Sequence, residues 1–261
     1  MTSAIATERI SDYVVQIRLD RPERLNALGV EMVVALKDAV TQAVASGTRV
    51  LLLRGSGRAF CAGADLKERR GMPLSQRIEH NTAINAAVDA IAQAPLITIA
   101  VINGLALGGG CELALACDLR IAATGIEIGL TESRVGAIPG AGGTQRLPRL
   151  IGVARALEMM LTGEPISAER AEAIGLVNTV VVPSQLDERA RAMAGLLAAR
   201  SPTGLRTIKR LVYQGRELPL AEGLVHEREG LISILDSDDY AEGLAAFAEK
   251  RPPRFGEAKH P

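Results

Sequence analysis

Residues 101–118 read VINGLALGGGCELALACD: apolar residues, three consecutive glycines, one carboxylate and then a second apolar run. The leading Val-Ile closes the segment ITIAVI (97–102), whose length and composition suit a strand covered on both faces. The small residues that follow form a turn opening into a helix, and LRIAA (119–123) reads as the next strand. Glu112 inside this run poses a physical problem, because desolvating an unpaired carboxylate costs several kcal/mol. It needs a polar cavity or a partner.

The same unit recurs upstream. VLLLRG (50–55) is a short apolar strand, Gly55, Gly57 and Gly63 punctuate the loop after it, and GRAFCAGADLKE (57–68) leads into another helix. YVVQIRL (13–19) alternates as a strand and is ended by Asp20-Arg21-Pro22-Glu23. Helical spacing covers 30–46, with Gly47 as its C-terminal stop, and 76–93, followed by Pro95. Repeated strand, glycine turn and helix predict a wound α/β architecture. From about residue 186 the pattern is purely helical, over 186–199, 203–213, 219–233 and 237–249, with RPPRFGEAKHP (251–261) extended at the end. The expected division is an α/β core over 1–195 and a helical region over 196–261.

Composition narrows the function. The 261 residues are 48% hydrophobic and 23% charged, ordinary for a soluble globular chain, but only 2% aromatic and without tryptophan. Few aromatics argue against stacking on sugars or single-stranded bases. Lys+Arg and Asp+Glu both number 30, so no net field draws in nucleic acid or an anionic membrane. Cys61, Cys111 and Cys117 form no CxxC pair and suggest a reducing compartment. His80, His226 and His260 are scattered, against a zinc site or a histidine triad. The N-terminal stretch has the character of neither a signal nor a transit peptide, and the apolar window 94–118 is too interrupted to span a membrane. A cytoplasmic protein is expected.

GRAFCAGADLKE and GLALGGGCELAL share one design, small residues between a strand and a helix N-terminus. Such turns let a ligand atom approach unpaired backbone N–H groups, and two of them side by side would hold an oxyanion. Tight helix–strand packing also selects glycine, and these residues alone leave both readings open. A third segment, GLTESRVGAIPGAGGTQRLPRL (129–150), carries Glu132 before a Pro-Gly turn. Counting G-x-G-x-x-G from Gly140, position 145 is Gln, and the chain has no Gly-Lys dipeptide, so neither a dinucleotide fingerprint nor a P-loop is present. Taken singly, Glu132 reads as a loop carboxylate.

In combination and in order, LDRPERLNAL, FCAGADLKER, NGLALGGGCELALACD, TESRVGAIPGAGGTQRLPR and FAEKRPPRF resemble the crotonase (enoyl-CoA hydratase/isomerase) superfamily nearly end to end. The resemblance implies a spiral of ββα units followed by helices that mediate trimerisation, as a trimer or hexamer. It implies hydration of a short or branched enoyl-CoA thioester, with Δ3,Δ2-enoyl-CoA isomerisation as the alternative. Coenzyme A would enter as part of the substrate, with no separate cofactor and no metal. Ala64 and Gly109 match the positions whose N–H groups hold the thioester oxygen, Glu112 and Glu132 the two catalytic glutamates, and Gly140 a backbone N–H near the catalytic water. Arg24, Leu25, Ala62, Asp65 and Leu66 match the lining of the CoA channel. Phe247 and Lys250 match residues reaching the adenine and phosphate end of CoA, often on a neighbouring subunit.

FCAGADLKER, GLALGGG and EKRPPR are shared with the methylglutaconyl-CoA hydratase branch, some of whose members bind AU-rich RNA through a lysine-rich helix. Here helix 30–46 has only Lys37, balanced by Glu31 and Asp38, so RNA binding is not expected. A substrate with a distal carboxylate would call for a cation near ERRGMPLSQRIEH (68–80), where Arg69, Arg70 and Arg77 are candidates, Arg69 first. Solvated charges on a helix face are the competing reading of all three.

Overall fold

The computed structural model describes residues 4–256; His260 and the last residues of the C-terminal tail lie outside them. Among the described residues, ten strands form two sheets. The larger has the order β1 (Ile5–Ser11), β2 (Val14–Leu19), β3 (Val50–Gly55), β5 (Ile97–Ile102), β7 (Leu119–Ala123) and β10 (Thr179–Val181). The smaller runs β4 (Ala59–Cys61), β6 (Leu105–Leu107), β8 (Glu127–Gly129) and β9 (Ile166–Ser167). Among the described strands, only the β1–β2 and β8–β9 pairs are antiparallel.

Chain order and sheet order together explain the architecture. β3, β5 and β7 are neighbours in the large sheet, and each is followed by β4, β6 or β8 in the small one. After each pair the chain turns helical: α2 (Leu66–Arg69) and α3 (Leu74–Gln93), then α4 (Gly109–Ala116), then α5 (Gly143–Ile151). The repeat is therefore ββα, wound as a spiral, as the family resemblance implies.

The continuous apolar character of β3 has a simple cause. Leu51 and Leu53 face the main core with α1 (Val30–Ala45) and α3, while Val50 and Leu52 face the opposite side. There they meet Leu186, Ala190, Ala194 and Ala198 of α8 (Leu186–Ala198). A sheet covered on both faces needs apolar residues at every position. α8 packs on the sheet along its whole length, through Ala198.

α6 (Val153–Thr162) and α7 (Ala168–Ala173) lead to β10, and α9 (Pro202–Gly215), α10 (Leu220–Leu235) and α11 (Asp238–Glu249) end the chain. α9 is tied to the core by Lys209, whose ammonium donates to the Ala94 and Leu96 carbonyls (3.0 and 2.9 Å) and pairs with Asp118 at 2.9 Å. Ile208, Leu231, Ile232, Leu244 and Phe247 on these last helices are exposed. No helix among the described residues is long and apolar enough to cross a membrane.

Candidate active site

β4, β6 and β8 lie side by side, so three successive repeats deliver their strand-to-helix turns to one place. The first brings Ala62–Ala64, the second Gly108 and Gly109, and the third Glu132, in a 3-10 turn over Glu132–Val135. The two glycine-bearing turns are in contact: a β-carbon on Gly109 would stand 3.6 Å from the Ala64 nitrogen, and one on Gly63 3.1 Å from the Gly109 nitrogen.

Both turns leave an N–H group free. Ala64 forms a parallel bridge with Leu28 in which Leu28 N–H donates to the Gly63 carbonyl (2.8 Å) and Asp65 N–H to the Leu28 carbonyl (3.3 Å). That pairing uses the groups on either side of Ala64 and turns its own N–H the other way. Gly109 is the first residue of α4, where an N–H has no partner within the helix. Neither donates to another group among the described residues. Gly108 makes this close approach possible, with φ +52° and no β-carbon, since one would stand 3.0 Å from Glu132 Oε1.

Glu112, in the first turn of α4, is only 3% exposed. Its Oε1 accepts from the N–H groups of Ala141 (2.7 Å) and Gly143 (2.8 Å). The glycine-rich turn after Pro139 is thus the partner that the buried carboxylate requires. That turn is held in place from α3: Asn85 donates to the Gly140 carbonyl (2.9 Å), while Arg146 bridges the Ala141 carbonyl (2.9 Å) and Asp89 (3.1 Å). Burial raises the Glu112 pKa, and the two N–H donors and the Arg146 charge oppose the rise.

Glu132 is half-buried, and its Oε2 is shut off from solvent without a hydrogen-bond partner. Burial, aided by the neighbouring Glu112 charge, pushes its pKa up to about 7 against the opposing backbone N–H groups of Glu132 and Thr131. Both carboxylates, Ala64 and Gly109 line one cleft of about 130 Å³, with Ile84 and Ile138 among its apolar wall. Two differently biased carboxyl groups beside two free N–H donors can move protons at a substrate while holding a negatively charged oxygen.

Of the other residues singled out in the sequence, Ala62, Leu66, Arg69 and Gly140 line this cleft. Leu25, in the left-handed region at φ 51°, accepts from Ala62 N–H through its carbonyl (3.0 Å). Asp65 caps α2, its Oδ1 accepting from Lys67 and Glu68 N–H, and pairs with Arg24 at 3.5 Å in a separate polar cleft with Arg21 and Lys67. Its carboxylate is therefore committed to structure. Arg70 is exposed, and Arg77 bonds the Met72 carbonyl; neither lines the cleft. Phe247 (86% exposed) and Lys250, the left-handed cap of α11, also lie outside its lining.

The sequence reading missed Ala141, Gly143 and Arg146, which hold Glu112, and Asn81 and Asn85 on α3. A signal was present in GAGGTQR, since glycines opening a helix offer free N–H groups to an anion.

The ββα spiral with this sheet order is the crotonase fold. Residues 9–258 match the family model described as enoyl-CoA hydratase/isomerase. Among solved structures, the enoyl-CoA hydratase of Bacillus anthracis is 44% identical with a TM-score of 0.94, covering 97% of this chain and 98% of that one. Among curated relatives, the rat mitochondrial methylglutaconyl-CoA hydratase is 40% identical over 93% of this chain and 79% of its own length. The bovine mitochondrial enoyl-CoA hydratase domain-containing protein 2 is 42% identical over 93% and 84%. The chain belongs to the enoyl-CoA hydratase/isomerase family.

Proposed function

We propose that this enzyme of hydratase type adds water across the 2,3 double bond of a short or branched enoyl-CoA, using Glu112 and Glu132 as its acid–base pair. The observation that carries the reading is the convergence of both carboxylates on the cleft that the Ala64 and Gly109 N–H groups also face.

The environments divide the labour. Glu112, held by two N–H donors and beside Arg146, is assigned the base; Glu132, whose pKa is pushed up to about 7 and whose buried oxygen has no partner, is partly protonated at neutral pH and is assigned the acid. Glu112 takes a proton from water as the water oxygen bonds to C3. The π electrons move onto the thioester oxygen, where the Ala64 and Gly109 N–H groups stabilise the charge. C2 then takes the Glu132 proton. One water is consumed: a C–O and a C–H bond form as a water O–H bond and the C2–C3 π bond break, Glu112 then gives its proton to solvent and Glu132 takes one back, and nothing is oxidised or reduced.

An isomerase returns a proton to a different carbon of the same substrate and can do so with one carboxylate. A second one beside the cleft favours hydration. The chemistry calls for no resident cofactor, since coenzyme A arrives with the substrate. Arg24 is suited to line the CoA channel. Phe247 and Lys250, exposed and outside the lining of this cleft, suit the nucleotide end of a CoA bound to a neighbouring subunit, with the exposed apolar residues of α9–α11 as the trimer contact. The helix α1 offers only Lys37 to a polyanion, which disfavours an RNA-binding role.

The proposal makes the rate pH-dependent. A proton donor with a pKa of about 7 is loaded below that value and empty above it, so kcat/KM for crotonyl-CoA should fall tenfold per pH unit above about pH 7 to 8. A profile flat to pH 9 would remove Glu132 as the acid. Folding provides an independent readout. A carboxyl whose folded pKa is raised costs stability as it is forced to ionise, so Glu132→Gln should gain thermal stability over wild type between about pH 4.5 and 7, with the gain constant above.

A further inference from the structure

A helix that ends in the left-handed region usually ends on glycine, because a β-carbon is strained there. α11 ends on a lysine instead. Lys250 has φ 53° and ψ 41°, one of three non-glycine residues with positive φ among those described. The turn is a Schellman motif: Arg251 N–H donates to the Ala246 carbonyl (3.0 Å) and Lys250 N–H to the Phe247 carbonyl (3.3 Å). A strained backbone persists only where its surroundings hold it.

What holds this one is chiefly a single carboxylate. Glu242, earlier on α11, accepts from Arg251 through both oxygens, Oε1 from Nη1 (2.6 Å) and Oε2 from Nη2 (3.0 Å). Its Oε1 also accepts from the Arg254 N–H (2.7 Å), and its side chain is only 14% exposed. A bidentate guanidinium–carboxylate pair fixes orientation as well as distance. It folds the segment after Lys250 back along the helix. Farther on, Asp239 Oδ1 accepts from Gly256 N–H (2.9 Å). Arg49 donates to the carbonyls of Phe255 (2.7 Å) and Ala198 (3.0 Å), tying the tail to the end of α8.

The groups so presented are unoccupied. The Lys250 ammonium makes no hydrogen bond or ion pair among the described residues, and the Phe247 ring, one turn earlier, stands in solvent. An open ring for a planar base and a free cation for a phosphate are what a nucleotide requires. Glycine would end the helix with less strain but would carry no ammonium. We propose that Glu242 is a positioning residue: through Arg251 and the Arg254 N–H it holds Lys250 left-handed and so keeps its ammonium, beside the Phe247 ring, set for the nucleotide end of a CoA thioester. The inference rests on the reading of Phe247 and Lys250 as nucleotide contacts and adds the residue that presents them. Without the clamp the lysine would have to be ordered at each binding event, which weakens binding.

Crotonyl-CoA and crotonyl-pantetheine share an acyl group and differ by the nucleotide. Glu242→Gln should raise KM for crotonyl-CoA roughly tenfold, the worth of one hydrogen bond to a charged group, with kcat and the pantetheine KM at their wild-type values. Arg251→Lys, which keeps the charge but not the bidentate geometry, should give an intermediate rise. Lys250→Gly should match Glu242→Gln in KM without lowering the melting temperature, since glycine suits a left-handed cap. The double variant should lose no more than Lys250→Gly alone, because Glu242 acts through Lys250. Glu249→Gln, which removes only an exposed contact to Arg251, should keep the wild-type KM ratio. Equal KM increases for both thioesters in Glu242→Gln, or additive losses in the double variant, would overturn the proposal. So would a CoA-specific loss in Lys250→Gly with none in Glu242→Gln, which leaves the nucleotide contact standing. An unchanged CoA preference in Lys250→Gly would instead overturn the nucleotide reading itself, and the proposal with it.

Discussion

Glu112→Gln is expected to lower kcat for crotonyl-CoA hydration by roughly two to four orders of magnitude, the range for a lost general base. The substitution is close to isosteric, and the amide oxygen can still accept from Ala141 and Gly143 N–H where Oε1 now does. The fold and the binding of CoA thioesters should therefore survive. What is lost is the ability to take a proton. Removing a buried carboxyl whose pKa burial has raised should leave the melting temperature equal or higher above neutral pH. Stopped-flow or steady-state loss of the conjugated thioester absorbance, with a thermal melt of the same sample, separates the two effects. Near-normal turnover in a folded variant would show that Glu112 is not the base.

The second large effect is structural. Gly110→Ala places a β-carbon in overlap with the Cys61 carbonyl oxygen, 2.7 Å from the carbonyl carbon and 2.9 Å from the Cys61 β-carbon. Its neighbours are largely backbone, so α4 and β4 must separate. Overpacking of this kind costs about 3 kcal/mol. Separation also pulls Gly109 away from Ala64, so activity should fall at least a hundredfold even in the folded fraction. Gly71→Ala, where a β-carbon meets nothing within 4 Å, is the matched control and should change neither stability nor rate appreciably. Denaturant unfolding of both variants beside an activity assay checks this. A Gly110→Ala enzyme with wild-type stability would mean that the tight contact does not set the spacing of the two N–H groups.

Where one physical cause dominates, the sequence is legible. β3 and β5 read directly as apolar strands because both faces of the large sheet are covered, and α1 and α3 follow from helical spacing. β1 escaped because it is an edge strand, IATERIS, with much of its surface in solvent. The small sheet escaped because its strands are two or three residues long, too short for any period to register. Yet that sheet sets the site, since its strand ends align Ala64, Gly109 and Glu132.

The resemblance brought forward site residues by their place in shared motifs, Ala64 and Leu25 among them, and left their neighbours unmarked. Gly140 was assigned an N–H near the catalytic water; that Ala141 and Gly143 of the same turn donate to Glu112 was not read from the sequence. Nothing in an alanine distinguishes a donor from a spacer until the turn is seen. Arg146 and Asn85 act through backbone carbonyls 5 and 55 residues away in sequence, a relation that no local pattern encodes.

The most direct test of the central claim is to follow the atoms. Crotonyl-CoA incubated with the wild-type enzyme in deuterated, 18O-enriched water should lose its conjugated absorbance and yield 3-hydroxybutyryl-CoA. Mass spectrometry should find one 18O at C3 and one deuteron at C2, with the thioester intact. Release of free CoA thiol, or deuterium exchange without 18O at C3, would contradict the assignment of Glu112 and Glu132 as a pair that adds water.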